Sequence, residues 1–223
     1  MMEDYRKLIV SRVFAAPPSL TELLGAYVPG GDGDLQPESW ATREQKPVLR
    51  AAAVLVPIVE YVEGPRVLLT RRADHLGSHA GQVAFPGGKI EAGETPAEAA
   101  IREADEEVGL KADFIEVAGY LDAYETGSGF RILPVVSFVR PGFTLDVHDG
   151  EVAEVFEVPL SFLMDGRNHE RHKATWQGRE REYYAMPYNG HYIWGATAGM
   201  LKNMYDRIFA IADIEVTSQE TME

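Results

Sequence analysis

The stretch GGKIEAGETPAEAAIREADEEVGL, residues 87–110, decides the fold and raises a question of charge. Seven of its side chains are acidic and only two are basic. Acidic groups that stand this close together repel one another. The stretch is therefore either a solvated acidic surface or a site that holds something positive.

The same stretch carries the signals of a helix over residues 96–108. Thr95 is a suitable N-cap, Pro96 suits the first helical position, and Glu98 completes a capping box with Thr95. Gly109 suits the position just after the last turn, where many helices end. A helix with these ends fixes the direction of each of its side chains.

Three carboxylates of this helix are predicted to share one face. At about 100° per residue, Glu103 lies beside Glu106 and Glu107. Their mutual repulsion and their place at the negative end of the helix dipole both disfavour the helix. A hard divalent cation such as Mg²⁺ relieves such a cluster, because it takes oxygen ligands. A metal site is thus favoured over a plain acidic face.

The glycine-rich loop FPGGKIEAGE, which precedes the helix, also supports a metal site. Such loops let a backbone approach a metal or phosphate closely.

Composition limits the class of protein. The chain has 223 residues, 45% of them hydrophobic, and a net charge of −14. This charge argues against a nucleic-acid binder, and an anionic substrate would need local cations or a metal. The absence of cysteine excludes thiol nucleophiles and Cys-based zinc sites. No apolar run approaches about 18 residues, so we expect no membrane span. The N-terminus lacks the pattern of a signal peptide, so we expect a cytoplasmic protein.

Outside this helix the pattern predicts strands mixed with helices. The first fourteen residues have the spacing of an amphipathic helix, and Ser19 or Thr21 can cap a second helical segment. Further predicted elements are strands at 50–61, 65–72, 113–126 and 130–139, a strand and short helix at 154–163, a hairpin at 173–190, and a helix at 195–212. The steady alternation of a doubly wound fold is missing, so we expect an α/β (α+β) protein with a mixed sheet between helices.

Domain organisation follows from this pattern. We expect residues 1–47 to form an N-terminal helical extension of a main domain at 48–212. Residues 213–223 are expected to be a flexible tail.

Residues 88–110 match a known signature at every defining position. It reads Gly88, five residues, Glu94, seven residues, Arg102-Glu103, Ala104, any residue, Glu106-Glu107, any residue, Gly109 and Leu110. The chain therefore resembles the Nudix hydrolases. The resemblance implies an α/β/α sandwich and Mg²⁺- or Mn²⁺-dependent hydrolysis of a nucleoside diphosphate linked to another group.

The resemblance also implies roles within the signature. Glu103 and Glu107 would be the main metal ligands, and Glu106 would be a further ligand or the base that activates water. The carbonyl of Gly88 would be a further metal ligand.

Other members of the signature are implied to be structural. Glu94 and Arg102 would pair across the junction between loop and helix, and Gly109 would end the helix.

A second motif lies upstream, in LLTRRADHLGSHAGQVAFPGG (residues 68–88). It is similar to the stretch that marks the coenzyme A pyrophosphatase branch, with Leu-Leu-Thr, Arg72 and Phe-Pro-Gly-Gly in place. Gly77 departs from that pattern, which has an arginine there. The resemblance implies hydrolysis of coenzyme A or acyl-coenzyme A to 3′,5′-ADP and (acyl-)4′-phosphopantetheine. ADP-ribose or another dinucleotide is the alternative substrate. A non-catalytic Nudix-fold binding module is less favoured, because no glutamate of the signature is lost.

Several residues outside the signature are candidates for the site. Arg71 and Arg72 end a predicted strand, so we expect them to contact substrate phosphate, with a structural ion pair as the alternative. Phe130 either stacks on a base or packs. Glu151 and Glu154 precede a strand at a position where some Nudix enzymes supply a loop carboxylate as the base.

Two histidines, one tryptophan and the binding partners are the subject of the remaining expectations. His75 and His79 are expected to be loop hydrogen-bonding residues, and Trp194 is expected to be a core residue. The expected partner is a small-molecule nucleotide, with no nucleic acid and no membrane. A homodimer is left open.

Overall fold

Strand β1 (Arg50–Tyr61) is the centre of the molecule, because it is buried on both faces. Val54 and Val56 point into one apolar layer, whereas Ala53 and Leu55 point into the other. A continuous apolar run is typical of a strand that is covered on both sides. The computed structural model describes residues 2–25, 30–35, 48–176 and 179–210.

The main sheet is mixed, as the sequence predicts. Its other strands are β2 (Gly64–Arg72), β3 (Val83–Ala84), β4 (Gly87–Lys89), β5 (Ile115–Tyr120), β6 (Tyr124–Glu125), β7 (Phe130–Val139) and β8 (Val152–Pro159). The order is β3-β2-β1-β7-β5, while β4 pairs with β1, β6 with β7 and β8 with β2. Among the described strands of this sheet, β1 and β7 pair in parallel and the other strand pairs are antiparallel.

A second, three-stranded sheet and a set of helices complete the described chain. The sheet contains β9 (Glu170–Trp176), β10 (Arg179–Tyr188) and β11 (His191–Trp194). The helices are α1 (Met2–Arg12), α2 (Leu20–Gly25), α3 (Pro96–Val108), α4 (Leu160–Leu163) and α5 (Ala196–Met204), with short 3₁₀ turns at Ala112–Phe114 and Gly166–Asn168. Helix α5 continues as a π-helical turn over Tyr205–Phe209.

Helices cover both faces of the main sheet. Ala99, Ala100 and Ala104 of α3 pack against the face that carries Ala53 and Leu55. The small side chains let the helix approach the strands closely, which brings its polar residues next to β4. The opposite face is covered by α5 and α1 through a second group of buried residues, among them Ile9, Ala198, Leu201 and Met204. The result is the predicted arrangement of a mixed sheet between helical layers.

The N-terminal segment contributes directly to the core. Ile9 and Leu23 are fully buried, and burial of an aliphatic side chain of this size is worth about 1.5–3 kcal/mol. The backbone of Phe14 pairs with that of Tyr120. Ser19, one of the two predicted caps, accepts a hydrogen bond from the backbone N–H of Glu22 through its hydroxyl. Residues 5–25 are thus packed onto the main sheet.

The predicted single strand over residues 113–126 is wrong, because it is divided into β5 and β6. The pairing of β5 with β7 shifts register between Val117 and Gly119. A methyl group at position 119 would lie 2.5 Å from Cγ2 of Val13, so glycine leaves room here for the N-terminal segment beside β5.

The C-terminal predictions need smaller corrections. The hairpin predicted at 173–190 begins at Glu170, and β11 adds a third strand to it that the sequence pattern did not indicate. Its predicted turn at residues 177–178 lies outside the described residues. The same holds for the end of the last predicted helix at 211–212 and for the tail at 213–223. In the described part of the chain, no helix has both the length and the apolar character required to cross a membrane.

Candidate active site

Helix α3 begins and ends where the sequence predicts. The hydroxyl of Thr95 accepts a hydrogen bond from the backbone N–H of Glu98 at 3.3 Å, and the carboxylate of Glu98 accepts one from the backbone N–H of Thr95 at 2.8 Å. This is the capping box. Gly109 ends the helix with φ of 72°, in the left-handed region that glycine tolerates. The direction of every side chain on α3 is fixed by these two ends.

Glu107 is a buried carboxylate next to the glycine-rich loop. Only 6% of the residue is exposed, and the backbone N–H of Gly87 donates to Oε2 at 3.2 Å. Burial raises the pKa of Glu107 to about 7, the hydrogen bond from Gly87 opposes this rise, and the charge of Glu103 adds to it. The positive charge of Arg72 also opposes the rise. The site thus holds a carboxylate that lacks enough positive charge around it.

Glu103 lies directly against the backbone of Gly88. A methyl group at position 88 would be 2.4 Å from Oε1 of Glu103, so glycine is the residue that leaves room for this carboxylate. Burial raises the pKa of Glu103, and Arg102 partly offsets that rise through a hydrogen bond at 3.0 Å. Glu103 and Glu107 therefore share the space between α3 and β4.

Glu106 departs from the predicted convergence of three carboxylates. Its side chain is 60% exposed and turned towards Arg102, whose Nη1 lies 3.1 Å from Oε2 of Glu106. The two residues are four positions apart on α3, which is the spacing at which helical side chains meet. In this structure Glu103 and Glu107 face β4, whereas Glu106 stands at the solvent side.

Arg102 fastens the loop to the helix, as the family resemblance implied. Its Nε donates to Oε1 of Glu94 at 2.7 Å, and its Nη2 donates to Oε2 at 3.1 Å. Two parallel bonds of this kind fix the geometry more strongly than one. Arg102 also donates to the carbonyl oxygen of Lys89 at 3.2 Å, so one guanidinium joins the loop, β4 and α3. The hydrogen bond from Arg102 lowers the pKa of Glu94.

The structure separates the two loop carboxylates Glu151 and Glu154. The negative charge of Glu151 contributes to the raised pKa of both Glu103 and Glu107, so Glu151 lies near the α3 carboxylates. Glu154 instead pairs with Arg71 across β2 and β8, and its Oε1 lies 2.9 Å from Nε2 of His191. Of the two candidates for an alternative base, the structure brings only Glu151 to the cluster.

The side chains of Arg71 and Arg72 lie on opposite faces of the sheet, because successive side chains of a strand alternate in direction. Arg72 is on the α3 side, where its charge acts on Glu107, and its buried Nε has no hydrogen-bond partner among the described residues. Arg71 is on the other side, where Nη1 lies 2.7 Å from Oδ1 of Asp74 and Nε lies 3.6 Å from Oε2 of Glu154. Arg72 therefore lies beside the carboxylate cluster, where the expected phosphate contact would be made, and Arg71 is in the alternative arrangement of a structural ion pair.

The other candidates lie outside the carboxylate cluster. Phe130 begins β7 on the opposite face of the sheet, where the guanidinium of Arg50 lies 3.9 Å from its ring centroid. His79 Nδ1 lies 2.8 Å from Oε1 of Gln82, which confirms its role in the loop, whereas His75 is exposed. The prediction that Trp194 is a core residue is wrong.

Trp194 belongs instead to an aromatic group on the three-stranded sheet. Its ring lies 5.4 Å from that of Tyr183 and 6.4 Å from that of Tyr192. The reason is the alternation of β11, in which Ile193 takes the buried position and its two neighbours point the other way.

The carboxylate cluster suits a divalent metal by its chemistry. The ligands on offer are all oxygen atoms, from Glu103, Glu107, Glu151 and the Gly88 carbonyl, and such sets suit Mg²⁺ and Mn²⁺. Among the described residues, no three His, Asp or Glu side chains are already arranged closely enough to hold an ion. Mg²⁺ keeps several waters and binds through one or two carboxylates, so it does not require such a closed cage. Burial is the main cause of the raised pKa of Glu103 and of Glu107, and the negative charges nearby add to it; a bound cation would favour the charged form of both.

Comparison with known protein families identifies the family to which the chain belongs. Residues 49–177 match the family described as the NUDIX domain, and this range contains β1, α3 and the carboxylate cluster. The chain belongs to the Nudix family.

Two relatives that are described as Nudix hydrolases align with 70% of this chain. The chain is 36% identical over 156 residues to an uncharacterized Nudix hydrolase NudL of Enterobacter sp. (strain 638), which is 70% of this chain and 81% of the relative. It is 39% identical over 158 residues to a protein described in the same words in Yersinia enterocolitica, covering 70% of this chain and 80% of the relative. The chain is thus a Nudix hydrolase, an enzyme that acts on pyrophosphates.

The chain is also similar to solved structures. A MutT/nudix family protein from Enterococcus faecalis has 18% identity and a TM-score of 0.46, covering 76% of this chain and 67% of that protein. This likeness adds nothing about function.

The Nudix site contains one feature that sequence reasoning missed. Residues 87–89 form strand β4, which pairs with Ala52–Val54 of β1, although the sequence indicated only a loop. A methyl group at position 87 would lie 2.4 Å from the carbonyl oxygen of Ala53, so glycine is needed for this close pairing. The close pairing also aims the N–H of Gly87 at Glu107. Two adjacent glycines before an acidic helix were the signal that could have indicated such a strand.

Proposed function

We propose that this Nudix hydrolase cleaves the pyrophosphate bond of a nucleoside diphosphate derivative, with coenzyme A or acyl-coenzyme A as the preferred substrate. The products would be 3′,5′-ADP and (acyl-)4′-phosphopantetheine. The observation that carries the reaction type is the pair Glu103 and Glu107, held against the glycines of β4 with too little positive charge around them. The choice of substrate rests on the upstream motif, in which Arg72 and the Phe-Pro-Gly-Gly turn are present.

Nudix hydrolases generally need divalent metal ions, and the residues of this site fit Mg²⁺ or Mn²⁺. Glu103 and Glu107 would hold the ion, with the Gly88 carbonyl and Glu151 within the same cluster. When bound, the metal would neutralise phosphate charge and lower the pKa of the attacking water.

The proton of that water needs an acceptor from the chain. Glu106 is suited to this role because its side chain is exposed and lies next to Glu103 on α3. Arg102 holds the Glu106 carboxylate at 3.1 Å and so limits its movement. Glu151 is the alternative base, since it is the loop carboxylate that lies near the cluster.

Arg72 is proposed to bind the substrate phosphate. Its Nε is buried and finds no hydrogen-bond partner in the part of the chain that the structure describes, which is a costly state for a charged group. A phosphate oxygen would satisfy this donor and counter the charge. Arg72 lies close enough to Glu107 for their charges to interact, so a phosphate bound there would lie next to the carboxylates.

One observation favours the alternative substrate class, ADP-ribose or another dinucleotide. Gly77 occupies the position at which the coenzyme A pattern has an arginine, and the space around Gly77 is open. An additional cation that could bind a further phosphate is therefore missing from this position. For compartment and assembly we keep the predictions from sequence, a cytoplasmic protein that is a monomer or a homodimer.

The test of this function is a panel of substrates with and without metal. Phosphate release, after phosphatase treatment of the products, is measured for coenzyme A, acyl-coenzyme A, ADP-ribose, NADH, diadenosine polyphosphates and nucleoside triphosphates. We expect Mg²⁺-dependent turnover that is fastest with coenzyme A or its acyl form. Rapid cleavage of ADP-ribose with coenzyme A untouched would replace the first choice by the alternative. No turnover of any compound would remove the proposal.

A further inference from the structure

A cavity of about 390 Å³ lies on the face of the main sheet opposite the carboxylate cluster. Its walls are formed by the end of β2, the start of β8, the turn before β11 and β11 itself. Residues that line it include Arg71, Gly81, Glu154, Asn189, His191 and Trp194. A volume of this size suits a small-molecule group.

The polar groups of this cavity are fixed in place by one another. Glu154 lies 2.9 Å from Nε2 of His191 through Oε1, and 3.6 Å from Nε of Arg71 through Oε2. Asp74 lies 2.7 Å from the other end of Arg71. The ring of His191 is stacked on Phe156, with centroids 3.7 Å apart and planes 9° apart. The cavity therefore presents a pre-formed carboxylate, which retains free acceptor positions because a carboxylate can accept about four hydrogen bonds.

The charges of the cavity exclude a phosphate as its natural occupant. Among the described lining residues the one guanidinium, Arg71, is already matched by Asp74 and Glu154. Its surroundings thus carry no surplus of positive charge, and a phosphate would meet Glu154 without a free cation to bind it. A group that is uncharged and donates hydrogen bonds suits these walls instead.

The cavity and the carboxylate cluster lie at the same end of the same two strands. Arg71 and Arg72 are consecutive in β2, and the N–H of Gly81 in the cavity wall donates to the carbonyl oxygen of Arg72 at 3.2 Å. Glu151 of the cluster precedes Glu154 of the cavity by three residues. Because the two sites share this end of β2, a substrate whose pyrophosphate lies at Arg72 can extend around the strand end into the cavity.

We propose that this cavity is a second substrate-binding site, which holds the uncharged, hydrogen-bonding part of the substrate beyond the pyrophosphate. The proposal rests on the proposed function. The pantetheine arm of coenzyme A, with its amide and hydroxyl groups, has the required chemistry. The adenosine of ADP-ribose or another dinucleotide has it too, whereas the nucleoside of coenzyme A carries a 3′-phosphate that these walls do not suit. Glu154 accepts the hydrogen bond from the occupant and is a specificity residue outside the reacting atoms.

The test uses uncharged fragments, so that binding is measured without turnover. Adenosine and pantetheine are titrated separately into the full-length protein, and binding is followed by ligand-observed NMR. We expect one of the two fragments to bind and Glu154→Gln to weaken it by about tenfold, since a hydrogen bond to a charged group is lost. The fragment that binds identifies the source of the chemistry.

Two further variants keep the outcome interpretable. Glu107→Gln, in the carboxylate cluster, is expected to bind the fragment as the wild type does. If Glu154→Gln fails to fold, Asn189→Gly removes another lining side chain at a position whose φ of 45° suits glycine, and it too should weaken binding. Binding of neither fragment, or binding that neither cavity variant changes, would overturn the proposal. A protein that binds a fragment through Glu154 but hydrolyses no pyrophosphate would contradict the proposed function alone.

Discussion

Replacement of Glu107 by glutamine is expected to stabilise the metal-free protein at pH 8, although it removes a proposed metal ligand. Burial raises the pKa of this carboxyl from 4.5 to about 7. At ~1.4 kcal/mol for each pH unit, the difference is worth ~3 kcal/mol. Glutamine is uncharged, has nearly the same shape, and can still accept the hydrogen bond from the N–H of Gly87.

The direction of this stability change follows from the coupling between proton binding and folding. The folded state binds the proton of Glu107 more tightly than the unfolded state does, so protonation favours folding. Stability is therefore lost as the pH rises from about 4.5 through about 7, and the whole loss of ~3 kcal/mol is present at pH 8. The gain from Glu107→Gln should be near its maximum at pH 8 and small at pH 5, where the wild-type carboxyl is protonated in the folded protein.

The assay is urea unfolding in EDTA at pH 5 and pH 8, with the free energy of unfolding taken from linear extrapolation. Glu106→Gln is the matched control, because the neighbouring side chain is 60% exposed and its loss should change stability by less than about 0.5 kcal/mol. The reasoning fails if Glu107→Gln is less stable than the wild type at pH 8, or if its gain is equally large at pH 5.

Two further changes test how the site is assembled. Gly88→Ala places a methyl group 2.4 Å from Oε1 of Glu103, so we expect at least a tenfold loss of metal-dependent turnover with thermal stability lowered only modestly; wild-type kcat would contradict this role of Gly88. Arg102→Lys keeps the charge but cannot reproduce the two parallel bonds to Glu94, so kcat should fall several-fold while circular dichroism shows an intact fold; an unchanged kcat would show that the loop is held by other contacts.

Local signals in the sequence predicted the bounds of helix α3. Thr95, Glu98 and Gly109 determine the ends of α3 through contacts within a few residues, so they could be interpreted without a structure. The pairing of Glu94 with Arg102 followed from the family signature in the same way. The mixed sheet was predicted because strands and helices do not alternate steadily along the chain.

Contacts between segments that are distant in the chain could not be predicted from the sequence pattern. Gly119 of β5 lies against Val13 of the N-terminal segment, which is about a hundred residues earlier in the chain. The separation of Arg71 from Arg72 follows from alternation along β2, but the partners on each face come from other elements. The pairing of Glu154 with His191 likewise joins β8 to β11, a strand that the sequence did not reveal.

The central claim is that Glu103 and Glu107 form a divalent-metal site on α3. Its most direct test is a titration with Mn²⁺, in which the electron paramagnetic resonance signal of the free ion measures how much is bound. We expect the wild type to bind Mn²⁺, Glu103→Gln and Glu107→Gln to bind at least ~10-fold more weakly, and Asp105→Asn to bind as the wild type does. Asp105 is the matched control because it lies on the same helix but pairs with Lys111 at 2.5 Å. Equal Mn²⁺ affinity in all four proteins would contradict the claim.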